Sequence, residues 1–523
     1  MAKKPVKNKK SFEETLWDAA NKLRGSVESA EYKHIVLSLI FLKFISDTFE
    51  QQRKKLIDAG LEKHIDMVAA YTKDNVFYLP EISRWNFIEK NAKQDDIALK
   101  IDTALSTIEK NNKALKGALP DNYFSRLGLD SSKLSALIDV INNIDTLANP
   151  HEDVVGRVYE YFLAKFAIAE GKGKGEFYTP KSIVNLIAEL IEPYKGKIYD
   201  PCCGSGGMFV QSMKFIENHK GNKKDISVYG QEYTGATYKL AKMNLAIRGI
   251  SANLGAAAKD TFAHDQHETL KADFIMANPP FNQKDWRASD ELVDDHRWSG
   301  YEVPQTGNAN YAWILHMVSK LSENGVAGFI LSNGALSGDG VEKEIRKKLV
   351  ENNLIEAIIM LPRNMFYSTD ISVTLWILNK NKKERSVKNA ESIKHYRNRE
   401  HEVLFMDLRQ QGVPFEKKYT QFSEENIQDI VKTFQSWQEL EKIEQYKNTA
   451  EYCHSATKED IAAKDYSLVP SKYIEFINHD ENIDFDEKMN SLQNDFRELL
   501  LQEEQSKNDL LNVFKELGYE IKL

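Results

Sequence analysis

The stretch Ala277-Asn278-Pro279-Pro280-Phe281 sets an amide, two prolines and an aromatic ring at the end of an apolar run, Ala272-Asp273-Phe274-Ile275-Met276. The run reads as a buried strand, and the prolines stop it and stiffen the turn that follows. This grouping suits work on a conjugated NH2 group. The lone pair of such an amine is delocalised into its ring, so the nitrogen attacks a methyl donor poorly. Two acceptors aimed at its N–H bonds would draw it toward tetrahedral geometry and localise the pair. The Asn278 side-chain oxygen can supply one acceptor. The Pro279 main-chain oxygen can supply the other, because proline keeps its carbonyl. Phe281 can stack on a base that has left its duplex. Taken alone, the same residues also fit an ordinary Asn-Pro turn after a strand.

The elements around the turn bear on that choice. From 151 to 415, short apolar runs alternate with helical stretches. Strands are expected at 198–199, 226–229, 274–276, 326–331, 355–361 and 373–378, with a weaker one near 253–254. The alternation predicts a parallel, doubly wound α/β sheet. Ligands in such sheets bind beyond the carboxyl ends of the strands, where all the candidate motifs fall.

Three motifs join the turn there. Asp200-Pro201-Cys202-Cys203-Gly204-Ser205-Gly206-Gly207 follows the first strand and precedes a helix expected over 208–218. Its glycines let the backbone approach a ligand closely. Phe209 occupies the place of the third glycine of the dinucleotide fingerprint, which disfavours a nicotinamide cofactor. Glu232 ends the next strand, near the offset of roughly 20 residues at which an acidic side chain accepts ribose hydroxyls. In Gly175-Glu176-Phe177-Tyr178-Thr179-Pro180-Lys181, Thr179 is a natural N-cap and Pro180 a natural first helical residue. The helix over 181–191 would then point free N–H groups at an anion such as a cofactor carboxylate.

Other groups invite blander readings. Pro201-Cys202 sits in the glycine bend rather than beside Phe281, so a structural cysteine fits better than the nucleophile of a cytosine-carbon methylase. His264 and His267 lack a third ligand and read as surface residues, with no metal site. The segment between Phe281 and Asn308 carries Trp286, Arg287 and Trp298. It reads either as a lid touching nucleic acid or as a connector. The basic stretch 380–399 is a solvated connector by default, or a phosphate-contacting surface.

Both flanks read as helical. Ser11 and Glu14 form a capping box for a helix through Leu23. Further helices are expected over 30–56, 95–115 and 131–144, with breaks at 78–80 and 119–121. This region carries no catalytic grouping and reads as a packing or docking module. Ser423 caps a helix to about Tyr446, and a long helix is expected over 484–517. The latter spaces Phe485, Met489, Leu492, Phe496, Leu499, Leu510, Val513 and Leu517 as a heptad seam, interrupted at Glu503 and Ser506. Such a seam could pack on this chain or bind helices of a partner. Domains are therefore expected at 1–150, 151–415 and 416–523, in keeping with about three domains for a chain of 523 residues.

Composition sets the setting. The apolar run 35–42 is broken by Lys43 and is too short to span a bilayer. The lysine-rich opening is no secretory signal. Three cysteines, two of them adjacent, make no disulfide scaffold and point to a reducing cytoplasm. The formal net charge is −8, whereas a chain that grips duplex DNA by itself usually carries a basic surplus. A partner would then supply much of the phosphate contact.

The ordered set of Gly175 to Pro180, Asp200 to Gly207, Glu232, the helix Ala241-Lys242-Met243-Asn244-Leu245 and Asn278 to Phe281 resembles the modification subunits of type I restriction–modification systems. These are S-adenosylmethionine-dependent DNA adenine-N6 methyltransferases, and the resemblance spans almost the whole chain, helical flanks included. It implies a Rossmann-like methyltransferase sheet. Glu176, Phe177, Tyr178, Thr179, Pro180 and Lys181, with Asp200, Gly204, Ser205, Gly206 and Gly207, would line the S-adenosylmethionine site. Glu232 would hold the ribose and Asp260 would contact the cofactor adenine. Asn278, Pro279, Pro280 and Phe281 would bind a target adenine flipped from double-stranded DNA. Implied partners are a DNA-specificity subunit, a second modification subunit and restriction subunits, with the C-terminal seam as the docking surface. Methylation of a protein glutamine amide, methylation of cytosine N4, and a non-catalytic scaffold are the competing readings.

Overall fold

The computed structural model describes residues 29–144, 161–163, 179–367, 369–388, 393–415, 418–477 and 485–516, with the single positions 17, 21 and 165. The expected first helix lies outside the described residues apart from Trp17 and Asn21. The helices Ser29–Asp58, Ile97–Asn111 and Ser131–Asn142 follow, and the expected breaks at 78–80 and 119–121 stay outside helices. Ile40, Phe49, Leu105 and Ile138 share one core, which continues onto Leu240, Met243 and Ile247 of the helix Gly235–Ile247. The N-terminal helices are thus packed against the sheet region.

That region is built on nine strands. They are β1 Gly196–Asp200, β2 Ile226–Gly230, β3 Ala252–Asn253, β4 Ala272–Ala277, β5 Leu321–Ser332, β6 Ile355–Met360 and β7 Val373–Asn379, then, past a hairpin of β8 Arg385–Lys388 and β9 Ile393–Tyr396, β10 Glu402–Asp407 and, past a ribbon of β11 Val413–Phe415 and β12 Tyr419–Gln421, β13 Cys453–Thr457. Their order is β13-β10-β6-β7-β5-β4-β1-β2-β3. Strands β1 to β5 pair in parallel. The sheet as a whole is mixed, however. β7 runs antiparallel to both β5 and β6, and β13 runs antiparallel to β10. Parallel neighbours need a crossover of a dozen or more residues, usually a helix. Among the described residues no helix lies between β6 and β7, so the chain returns beside itself. β6 and β7 are buried along their whole length, as strands covered on both faces are.

The helices Lys181–Ile191 and Gly207–Asn218 pack against each other over the sheet. Gly328 in β5 permits the close approach, since a Cβ there would lie 2.7 Å from Ile187 Cγ2. The basic stretch 380–399 is no simple solvated connector. Lys382 and Arg399 are buried, Arg399 pairs with the equally buried Glu356 at 2.8 Å, and Lys382 donates to the Ile355 carbonyl at 2.8 Å. Burying such charges is costly, and the Glu356 carboxylate and the main-chain carbonyls offset part of that cost. Ser423 caps the helix Glu424–Gln438 through a capping box with Asn426, and a 3₁₀ turn, Leu440–Gln445, replaces the expected continuation. Residues from Glu475 onward form a second unit, whose described parts are residues 475–477 and the helix Phe485–Glu516.

Candidate active site

β1 pairs with β2 on one side and β4 on the other. From that point the chain winds outward in both directions, so the carboxyl ends of these three strands flank the switch point where open α/β sheets bind ligands. Asp200 ends β1, Gln231 and Glu232 follow β2, and Asn278 follows β4. The register sets Asp200 opposite Gly230, and Tyr199 opposite Ile275. The glycine bend and the Asn-Pro-Pro turn therefore emerge side by side from adjacent strands, about 4.8 Å apart.

Hydrogen bonds then shape the bend. Gln231 N–H donates to the Asp200 carbonyl (3.0 Å), and Cys203 N–H to the Gln231 carbonyl (2.9 Å). Glu232 accepts from Gly204 N–H through Oε2 (3.0 Å) and from Thr234 N–H through Oε1 (2.8 Å). Gly204 and Gly206 take φ of 53° and 80°, values that side chains other than glycine's resist. A Cβ at Gly204 or Gly207 would meet nothing within 4 Å. The bend thus borders open space beside a carboxylate, a fit for a ligand with a ribose. Asn244 is buried and donates to the Ser205 carbonyl at 2.7 Å, which ties the helix Gly235–Ile247 to the bend.

Asp200 is buried, and desolvation, reinforced by the Glu232 carboxylate, raises its pKa to about 7 against the stabilising N–H of Cys202. Burial, then the same two carboxylates, pushes the Cys202 and Cys203 thiols well above their usual range. Such thiols are poor nucleophiles, in keeping with a structural role.

Asn278 Nδ2 donates to Thr179 Oγ1 at 3.0 Å. Its Oδ1 is buried and has no hydrogen-bond partner among the described residues. Unpaired buried acceptors are costly and rare. The Thr179 hydroxyl, expected to cap the following helix, is turned to the amide instead. The cap position falls to Pro180, at φ −57° and ψ 139°, with no side-chain cap, and Lys181 is the first helical residue. Ile183 and Val184 N–H both donate to the Pro180 carbonyl. Helix geometry leaves the N–H groups of Lys181 and Ser182 without an intrahelical acceptor. Glu176, Phe177 and Tyr178 lie outside the described residues. Pro279 is buried, Pro280 partly so, and Phe281 is half-buried, edge-on to the buried Phe366 at 6.0 Å between centroids.

Asp260 approaches from the far side of β2. Its Oδ1 accepts from Phe262 and Ala263 N–H at 2.8 Å each, and the next residue, Thr261, donates its hydroxyl to the Pro201 carbonyl at 2.6 Å. The fully buried Gln231 side chain donates to the Lys259, Asp260 and His264 carbonyls at 3.2, 3.2 and 2.7 Å. It organises the loop that carries Asp260, and sequence reasoning passed over it. Also missed were Asn282, Asn310 and Ser332. Asn282 adopts φ 52° directly after the turn. Asn310 Nδ2 and Ser332 Oγ donate to its Oδ1 at 2.9 and 2.8 Å. The tolerance of asparagine for left-handed backbone was the available signal. Tyr233, beside Glu232, is 72% exposed and offers an aromatic face at the same edge.

Two expectations are corrected here. Trp286 and Trp298 are buried, their indole N–H groups donating to the Gln305 and Leu292 carbonyls at 2.8 and 2.6 Å. Arg287 Nη2 donates to the Pro304 carbonyl at 2.8 Å. The segment after Phe281 uses these side chains on itself, because a long loop lying on a sheet edge needs apolar anchors and carbonyl partners of its own. His267 is buried rather than superficial, since its Nε2 bonds the Gly230 carbonyl at 2.8 Å, while His264 is exposed. No group of three or more potential metal ligands occurs among the described residues, and none of their helices is long and apolar enough to cross a membrane.

Comparison with known proteins gives concordant matches. The model of the N-6 DNA methylase family matches residues 150–482, and that of the HsdM N-terminal domain matches residues 12–144. The chain is 38% identical to the HindI type I restriction enzyme methylase subunit of Haemophilus influenzae, over 84% of this chain and 100% of that protein. It is 34% identical to the MjaIX type I methylase subunit of Methanocaldococcus jannaschii, over 97% of this chain and 92% of that protein. The crystal structure of a type I methyltransferase subunit from Streptococcus thermophilus shares the fold, with a TM-score of 0.73 at 22% identity, covering 89% of this chain and 99% of that one.

Proposed function

The chain belongs to the N-6 DNA methylase family as a type I restriction–modification methylase subunit, and from that premise we propose that it methylates the N6 amine of adenine in DNA. The observation that carries this reading is the Oδ1 of Asn278 at the sheet's switch point, buried and with no partner among the described residues. Such an acceptor fits an N–H that arrives only with substrate. Asn278 Oδ1 and the Pro279 carbonyl each accept one N–H of the target amine and localise its lone pair. Phe281, supported by Phe366, takes the face of the flipped base. The Thr179 hydroxyl fixes the Asn278 amide so that its oxygen stays available to the substrate.

S-adenosylmethionine, when bound, supplies an electrophilic methyl group. The residues present fit it. Gly204, Ser205, Gly206 and Gly207 border the open space, Glu232 accepts from a ribose, and Asp200 offers a carboxylate to a cationic ligand. Lys181 and its neighbours present helix N–H groups to a carboxylate, joined by Glu176, Phe177 and Tyr178. Asp260, with the exposed Tyr233, serves the adenine side.

Region 151–415 does the chemistry, and the flanks 1–150 and 416–523 serve docking. The target sequence is chosen by a separate specificity subunit, which binds two such methylase chains and, with restriction subunits, forms the full complex. Methylation by it protects host DNA in the cytoplasm. The net charge of −8 and the exposed Leu492, Phe496, Leu499 and Val513 of the C-terminal helix support a partner-dependent grip on DNA. Deleting residues 484–523 is expected to weaken co-purification with the specificity subunit, and an undiminished complex would remove the docking role from this helix.

The direct test is transfer of labelled methyl groups to DNA, with and without the co-expressed specificity subunit, followed by nucleoside analysis. N6-methyladenine that depends on the specificity subunit is the expected product. Label in N4-methylcytosine or on protein, or no transfer by a chain that binds cofactor, would overturn the proposal.

A further inference from the structure

Arg297 lies in the short turn His296–Trp298, inside the segment that links the Asn-Pro-Pro turn to the helix Asn310–Lys320. It is 5% exposed. An arginine so far from solvent must place its donors on fixed acceptors, and here every guanidinium nitrogen is engaged. Nε and Nη2 donate to the two Asp295 oxygens at 2.8 and 2.6 Å, a bidentate pair that neutralises the charge. The remaining donors point away from their own segment. Nη1 donates to the Thr261 carbonyl at 3.1 Å and Nη2 to the Phe262 carbonyl at 2.7 Å.

Those two carbonyls directly follow Asp260. Thr261 also bonds the Pro201 carbonyl, at the root of the glycine bend, through its hydroxyl at 2.6 Å. One backbone stretch is thus held by Arg297 from the target side and delivers a hydrogen bond to the cofactor side. His316 closes the network without competing for charge. It sits 3.4 Å from Arg297 Nη1 and 3.1 Å from the Tyr199 hydroxyl. Burial, then the Arg297 charge, lowers its pKa to about 3, so it is neutral wherever the protein works.

We infer that Arg297 is a positioning residue for the cofactor site, holding the main chain at 261–262 so that Asp260 and, through Thr261, the Pro201 turn keep their places. The inference rests on the S-adenosylmethionine reading above. It gives the segment after Phe281 a role that its tryptophans do not: it reaches under the sheet edge and braces the opposite half of the site.

The test is calorimetric titration of S-adenosylmethionine into the full chain and its variants. Arg297→Lys keeps the charge but cannot reach Asp295 and both carbonyls together. Its expected dissociation constant is raised about tenfold, the scale of one hydrogen bond to a charged group. The loss should appear in the KM for cofactor rather than in kcat. Thr261→Val removes only the hydroxyl relay and should raise the constant in the same direction, less than additively with Arg297→Lys. It also serves if Arg297→Lys does not fold. A lowered melting temperature with unchanged cofactor affinity in both variants would make the network purely structural and overturn the inference. A wild-type chain that shows no cofactor binding would instead overturn the cofactor reading on which it rests.

Discussion

The turn at 278–281 and the segment at 282–309 are neighbours in sequence, and both carry residues that bind nucleic acid elsewhere. In the turn, Asn278 Oδ1 is buried with no partner among the described residues, and Phe281 is only half-buried. In the segment that follows, two indoles are buried with their N–H groups bonded, and Arg297 has all its nitrogens engaged. The difference teaches where to look for chemistry. A polar or aromatic residue whose bonds are complete within the fold holds structure. Asn278, whose buried oxygen at the switch point has no partner among the described residues, keeps an acceptor for a substrate N–H.

Substitutions can break that contrast. The largest expected effect is on stability. Trp298→Ala should cost about 3–5 kcal/mol in denaturant unfolding, the usual cost of emptying a buried tryptophan site. The DNA affinity of the folded fraction, assembled with its specificity subunit, should stay unchanged. A selective loss of DNA binding would return the indole to the substrate. Asn278→Ala should do the reverse. Single-turnover methyl transfer should fall about 10²–10³-fold, the scale of removing one preorganised polar group, with cofactor affinity within about twofold and stability little changed. Loss of cofactor binding would mean that the amide serves the donor rather than the acceptor.

Two smaller effects sharpen the cofactor half. Glu232→Gln should weaken cofactor binding roughly tenfold in calorimetry, since it replaces a charged acceptor with a neutral one. No change would place the ribose elsewhere. Asp200 sets a pH dependence. Burial raises its pKa from 3.8 to about 7, so its contribution to stability is full below the ordinary carboxylate range and is lost as pH rises through about 7. A cationic cofactor favours the ionised form. Cofactor binding should therefore tighten several-fold as pH rises through 7 and release a proton, measurable by calorimetry in buffers of different ionisation heat. Asp200→Asn should flatten the profile, and a persisting slope would assign it to another group.

Much of this arrangement could be read from local pattern. The seven sheet strands expected between 198 and 378 all occur, because buried strands carry apolar runs between turn residues. The glycine bend, Glu232 and Asn278 all stand at strand ends, where a doubly wound sheet exposes them. The reversed direction of β7 was not readable, since it depends on which strand the chain returns to. Thr179 reads as a helix cap until its bond to Asn278, far along the chain, is known. Arg297, Gln231 and His267 escape for the same reason. Their partners far along the chain are main-chain carbonyls, and a carbonyl leaves no mark on residue type. The tryptophans of the connector misled in the opposite sense, because an aromatic side chain looks the same whether it anchors a loop or meets a base.

The most direct measurement is a structure of the complex with S-adenosylmethionine and target DNA. The expected result is an extruded adenine whose N6 hydrogens meet Asn278 Oδ1 and the Pro279 carbonyl, with its nitrogen about 3–3.5 Å from the sulfonium methyl held at the Asp200–Gly207 bend. A cofactor methyl that opens away from Asn278, or an adenine bound at another edge of the sheet, would contradict it.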